Sequence, residues 1–365
     1  MALTIKKKTG EKTSSMADML SQFQKDLGEG VGSFGGELLN SDRIPTGLFP
    51  LDLAMGGGFP RGKCSIIFGP ESSNKTNVAL RAIAMHQLLW PDLTCVFFDI
   101  ENAFDPEWAR KMGVNTDKLI VVRPSYAEQA VDMAEGFMHA EDCGLVVIDS
   151  LAALLTTSEA EASAERANVG GAALVIGKLT RKTNHAMGEA EKNGRLPSLI
   201  YINQISYKIG VMFGDPETMP GGKKPYFQAS MILRCYGKNV MDPKVSTALP
   251  VLKETNFIVK KWKCPILSVN GNFSMVTHPH KGLNVGQCDD FTQVRGYLEA
   301  FGKFQKAEKQ GWLILGEHYP TIEPFKTKLY EDKQFGTKVR EGIIARMLTG
   351  ELLLEGDSLK DQISD

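Results

Sequence analysis

Short apolar runs punctuate the chain from residue 43 to about 270, and helical patterns separate them. The runs CSIIF (64–68), TCVFFD (94–99), LIVV (119–122), LVVID (145–149), LIYIN (199–203), SMILRC (230–235) and FIVK (257–260) have the length of strands. The early ones are apolar almost without alternation, the pattern of strands covered on both faces. Residues 76–89, 126–140 and 171–187 carry apolar positions at helical spacing. Strand and helix in alternation predict an α/β fold, a mostly parallel twisted sheet with helices on its faces. Upstream, Met16, Leu20, Phe23 and Leu27 share one helical stripe, with Ser15 and Asp18 spaced as a capping box and Gly28 as the stop. The stretch GEGVGSFGGELLN is too glycine-rich for a helix and leaves room for a short strand around residues 33–34.

Beyond about residue 275 the texture changes. HPHKGLNVG, FTQVRGYLEAFGKFQKAEKQGW and KVREGIIARMLTGELL read as a smaller α/β lobe. The predicted division is an N-terminal oligomerisation arm (1–40), a core (41–272), a small lobe (273–348) and a mildly acidic tail (349–365).

Charge narrows little. The 365 residues hold 42 Lys and Arg against 43 Asp and Glu, so any basic surface is local. The six cysteines are scattered without a C-x-x-C pair, which reads as reduced thiols of a cytoplasmic protein. The start MALTIKKKTGEKTSS has no apolar stretch after its lysines, and no run approaches membrane-spanning length, so no membrane partner is expected. The H-x-H at 278–280 has no further ligand at metal spacing and reads as a polar turn.

Chemistry concentrates at GPESSNKT (69–76). A strand precedes it and a helix follows, the setting of a phosphate-binding loop, although Asn74 stands where G-x-x-x-x-G-K-[ST] has its second glycine. Gly69, Pro70, Glu71, Ser72, Ser73, Asn74, Lys75, Thr76 and Asn77 would cradle the phosphates of a nucleotide on backbone amides at a helix start. Lys75 would reach the β- and γ-phosphates, and Thr76 would ligate magnesium. LVVID delivers Asp149 from a strand end as the second magnesium ligand, and FFDIE places Glu101 just past another strand end, where a carboxylate can polarise an attacking water. Taken singly, Asp149 reads equally as a capping residue and Glu101 as a loop acid.

The segment 204–224 holds Lys208, Ile209, Gly210, Val211, Met212, Phe213, Gly221 and Gly222. Apolar residues on a glycine-flanked loop fit either a return to the core or a loop that orders on DNA and wedges between bases.

IPTGLFPLDLAMGGG, GPESSNKT, FFDIENAFDPEWARKMGV, LVVIDSLAAL and INQISYKIGVMFGDPETMPGG together resemble the bacterial RecA recombinase family, including UvsX-like phage recombinases. The likeness runs from about residue 28 to 272. It implies a RecA-like P-loop ATPase core that assembles into a helical filament on single-stranded DNA and exchanges strands with double-stranded DNA. It further implies ATP and Mg2+ as cofactors, with a single-strand-binding protein and loading factors as further partners, in the cytoplasm of a bacterial or phage-infected cell. On that resemblance Lys75, Glu101 and Gln204 are catalytic, Gln204 as the sensor of the γ-phosphate. Lys261 and Lys263 reach the ATP of the neighbouring subunit. Trp108, with Asp105 beside it, meets the adenine. Arg181 contacts the DNA backbone, residues 208–213 with Gly221 and Gly222 form the second DNA loop, and about 158–170 form the first. Phe227 packs across a subunit interface, where Phe34 of the arm also docks. The chain departs from the family at Asn74, at Ser206 in place of an arginine, and at Leu174 and Gly177 in place of polar contacts. Two other functions stay open: a nucleotide-binding DNA filament protein with little hydrolysis, and a ring-shaped helicase of the same superfamily.

Overall fold

The computed structural model describes residues 15–28, 42–161, 171–207, 217–245, 248–308 and 310–349. In chain order the first elements are α1 (Met16–Leu27), the ribbon strands β1 (Arg43–Ile44) and β2 (Phe59–Pro60) around α2 (Phe49–Ala54), then β3 (Cys64–Gly69) and α3 (Lys75–Leu89). Next come β4 (Thr94–Asp99), α4 (Pro106–Lys111), β5 (Leu119–Val122), α5 (Ala127–His139), β6 (Cys143–Asp149), α6 (Thr157–Glu161), α7 (Gly171–Lys192) and β7 (Ser198–Gln204). The ribbon β8 (Ser206–Tyr207) and β9 (Glu217–Thr218) leads to α8 (Lys223–Gln228), β10 (Met231–Val240), β11 (Leu252–Trp262) and β12 (Asn270–Val276). The lobe holds α9 (Phe291–Ala300), β13 (Phe304–Lys306), β14 (Trp312–Ile314), β15 (Glu317–Tyr319), α10 (Glu323–Glu331) and α11 (Lys333–Thr349).

The central sheet has eight strands in the order β12-β11-β10-β3-β7-β6-β4-β5. The segment from β10 to β5 is parallel, and β11 and β12 extend it antiparallel. All seven predicted strands are present. β12 is the addition: the chain stays in the sheet until Val276, past the boundary expected at 272.

Alternate residues of the buried strands serve opposite faces. Ile67, Cys95, Phe97, Leu145 and Val147 pack under α3, while Ile66, Phe68, Val96, Phe98, Val146 and Ile148 pack under α5 and α7. The apolar runs without alternation therefore have the cause assigned to them, helices on both faces. Phe49 and Leu53 of α2 join Val294, Leu298, Phe325 and Ile343 in a third core, which seats the lobe against the sheet domain.

α1 begins at Ser15, whose hydroxyl accepts from the Asp18 amide at 3.1 Å while Asp18 accepts from the Ser15 amide, a reciprocal capping box. Met16, Met19 and Phe23 are exposed on it. No described helix is long and apolar enough to cross a membrane.

Candidate functional site

β3, β6, β4 and β7 all end at one rim of the sheet, and their last residues and following loops converge there. Gly69 closes β3. A Cβ at that position would meet the Cys235 carbonyl oxygen at 2.1 Å, so the neighbouring strand β10 demands glycine. The loop then turns through Ser72 and Asn74, both at positive φ, into α3.

Asn74 is the residue that caps α3, at φ 76° and ψ 10°. Its side chain points away from the loop's mouth. The amide Nδ2 donates to Thr255 Oγ1 of β11 at 2.9 Å, and Oδ1 accepts from Asn77 Nδ2 at 2.7 Å. Asparagine therefore meets the backbone requirement that favours glycine and leaves the phosphate side clear. Asn77 in turn accepts from Trp108 Nε1 at 2.8 Å, which fixes the indole beside the start of α3. Asp105 caps α4, accepting from the Glu107 and Trp108 amides, with Pro106 opening the helix.

Lys75 lies over the loop and donates to the carbonyls of Gly69 and Pro70. Burial pulls its ammonium below the usual lysine range, opposed by the charges of Asp149, Glu101 and Glu71. Thr76 Oγ1 donates to Asp149 Oδ2 at 2.6 Å. Burial pushes the Asp149 carboxyl up to about 6, with Glu101 and Asp99 adding to the rise and Thr76 and Lys75 opposing it. A hydroxyl and a desolvated carboxylate side by side, with a surplus of acid around them, are hard oxygen donors that fit a magnesium ion.

Glu101 is held from two sides. Ser150 Oγ donates to its Oε1 at 2.6 Å, and Gln204 Nε2 donates to the same oxygen at 3.3 Å. The loop carrying Glu101 is itself anchored through buried Asp99, which accepts from the Ala103 and Phe104 amides and pairs with Arg123 at 2.8 Å. Sequence reasoning missed Asp99 and Ser150. The signal for them was a second acid two residues before Glu101 and a hydroxyl directly after Asp149.

Past Gln204 the chain enters the β8–β9 ribbon. Its far side is pinned twice: buried Asn203 donates to the Pro220 carbonyl at 2.9 Å, and Arg234 of β10 makes a two-pronged ion pair with Glu217. Residues 208–213 of the expected second DNA loop, residues 162–170 of the first, and Phe34 lie outside the described residues. Gly221 and Gly222 follow β9 at φ 92° and 77°. Arg181 is exposed on α7.

Lys261 and Lys263 are not at this rim. Lys261 Nζ donates to the Tyr226 and Phe227 carbonyls at the end of α8, and the Lys263 amide donates to the Ser230 carbonyl. Both ammonium charges bear on Cys64, the first residue of β3, which lies a strand's length, about 17 Å, from Gly69. The pair thus stands at the opposite end of the sheet from the chain's own loop. Phe227, Tyr226 and Trp262 expose 65%, 38% and 45% of their surface there.

A relative named Protein RecA from Cutibacterium acnes is 41% identical over 228 residues, 62% of this chain and 64% of that protein. Protein RecA of Lactococcus lactis subsp. cremoris (strain MG1363) is 38% identical over 240 residues, 65% and 60% of the two chains. That of Aquifex pyrophilus is 40% identical over 226 residues, 61% and 63%. The matched part thus spans less than two thirds of these curated relatives. The crystal structure of the RadB recombinase shares 19% identity with a TM-score of 0.47 over 64% of this chain and 96% of that one, a likeness on which nothing further rests. The family described as RecA N-terminal domain matches residues 14–265, and with the phosphate loop, the paired carboxylates and the glutamine strand at one rim, the chain belongs to that family.

Proposed function

We propose that the protein is a DNA-dependent ATPase and recombinase: it polymerises on single-stranded DNA with ATP and magnesium bound, pairs the strand with homologous duplex, and lets go when ATP is spent. The observation that carries this reading is the shared grip on Glu101 by Ser150 and Gln204. Gln204 ends the strand that runs directly into the segment 208–216, so the group that holds the water-activating carboxylate is covalently continuous with the candidate DNA loop.

Each side chain then has a task. Backbone amides at the start of α3 bind the phosphates, and Lys75 exchanges its two carbonyl partners for phosphate oxygens. Magnesium held by Thr76 and Asp149 would offset phosphate charge. Glu101 orients a water for in-line attack and accepts its proton. The Gln204 amide has two possible acceptors, the Glu101 carboxylate and a γ-phosphate oxygen. Its choice moves the start of the β8–β9 ribbon, and Asn203 and Arg234 pass that shift to the loop's other end. Lys261, Lys263 and the exposed Phe227 face a neighbouring copy, so that a nucleotide is completed by two subunits. Arg181, Gly221 and Gly222 lie on the DNA side. The protein works in the cytoplasm.

Negative-stain microscopy with single-stranded DNA and a slowly hydrolysed ATP analogue tests this reading. Helical filaments that require both ligands are expected. Closed hexameric rings, or no assembly, would overturn it.

A further inference from the structure

β11 carries a lysine whose surroundings do not account for it. Lys253 is half-buried within the β10–β11–β12 ladder, and among the described residues its side-chain ammonium has no ion pair and no hydrogen bond. Its cross-strand neighbours are Asn239 and Met275, neither charged. The adjacent acid, Glu254, points to the other face and pairs with Lys238 at 3.0 Å. Alternation places Lys253 on the face of Thr255, Phe257 and Val259, which packs toward α3. Thr255 is the residue that receives the Asn74 amide at 2.9 Å. Lys253 is therefore one strand repeat, about 7 Å, beyond the hydrogen bond that fixes the phosphate loop. Burial, then the Lys75 ammonium, holds its amine below the usual lysine range.

Two lysine ammonium groups close enough to repel each other, with no acid assigned to the second, are unfavourable unless an anion joins them. A lysine needed only for solubility would extend into water. We propose that Lys253 is a second cation of the chain's own nucleotide site, contacting the phosphate chain of ATP alongside Lys75. This rests on the nucleotide site proposed above and deepens it. The neighbour's Lys261 and Lys263 would then meet a nucleotide already held by two lysines in cis, which suits tight binding before assembly.

The test uses the full chain and Lys253→Met, which keeps the stem and removes the charge, with Lys253→Arg as the conservative partner. Calorimetric titration with ATP, ADP and AMP in magnesium reads the interaction. Lys253→Met should bind ATP roughly tenfold more weakly, the effect of removing one charge-assisted hydrogen bond to phosphate. The deficit should shrink from ATP to AMP, and Lys253→Arg should restore most of the affinity. Unliganded Lys253→Met should denature at the same or higher urea concentration than wild type, because a repulsion is removed. A lysine with a merely structural role would instead lower that midpoint. Wild-type binding with unchanged ATP affinity in Lys253→Met overturns the proposal and leaves the nucleotide site standing. An equal deficit for ATP and AMP also overturns it. Absence of ATP binding by wild type overturns both.

Discussion

Asn74 offers a perturbation whose size follows from its surroundings. Its side chain donates a buried hydrogen bond to Thr255 and accepts a part-buried one from Asn77, and its backbone is left-handed at φ 76°. Asn74→Ala and Asn74→Gly delete the same two bonds, each contributing about 0.5–1.5 kcal/mol net. The two variants differ in the backbone. Alanine in the left-handed region is penalised by about 1–2 kcal/mol, whereas glycine is at ease there but gains freedom in the unfolded chain. Asn74→Ala should therefore lose about 2–5 kcal/mol and Asn74→Gly about 1–4 kcal/mol, the shared bonds cancelling to leave a gap of about 1 kcal/mol. Urea denaturation of the unliganded protein, followed by circular dichroism, measures the gap as a difference in midpoint. The glycine variant should keep ATP binding, since the wild-type side chain faces away from the phosphates. Equal stability of the two variants, or a glycine variant more stable than wild type, would refute the assignment of Asn74 to a hydrogen-bonded, left-handed cap.

Three further outcomes follow from the same geometry. Glu101→Gln should bind ATP and form filaments yet lose at least about a hundredfold in turnover, as removal of a general base does; near-normal steady-state hydrolysis would move the role elsewhere. Arg234→Gln should loosen the β8–β9 ribbon and lower affinity for single-stranded DNA several-fold in fluorescence anisotropy, with partial recovery in the Glu217→Arg, Arg234→Glu double variant; no change in either would uncouple the ion pair from the loop. Asp149, raised to about 6, takes up a proton as pH falls through that value and loses its metal-binding charge, so ATP affinity in magnesium should fall between about pH 7 and pH 5. The sign for folding is opposite: a raised carboxyl favours the folded state as pH drops from about 6 toward its unfolded value, so Asp149 does not destabilise the unliganded protein in that window. Affinity flat across the window would contradict the ligand role.

The strands under two layers of helix were readable because burial on both faces leaves an unbroken apolar run, as in CSIIF and LVVID. β12 was not, because NGNFSMV is the sheet's outer strand and keeps only Phe273, Met275 and Val276 buried. β10 and β11 run on past their apolar segments for the same reason: residues 236–239 are exposed, so nothing apolar marks them. Lys75, Thr76, Asp149 and Glu101 could be named from motif context and Gln204 from the family resemblance, and they meet at one rim. The direction of the Asn74 side chain could not, since its partner Thr255 is 181 positions away. Asp105 did carry a readable signal, an Asp before Pro at a helix start, which marks a cap. Lys253 carried none, because a lysine on a strand gains meaning only from the register that aligns it with the phosphate loop.

In the proposed function ATP is bound by one subunit and turned over with residues of its neighbour when DNA aligns them. ATP hydrolysis per protein molecule, measured in magnesium across a wide dilution series with and without single-stranded DNA, addresses it directly. The expected rate per molecule rises with protein concentration, is strongly stimulated by DNA, and loses that stimulation in Lys261→Ala while ATP binding persists. A rate per molecule that is independent of concentration and indifferent to DNA would contradict it.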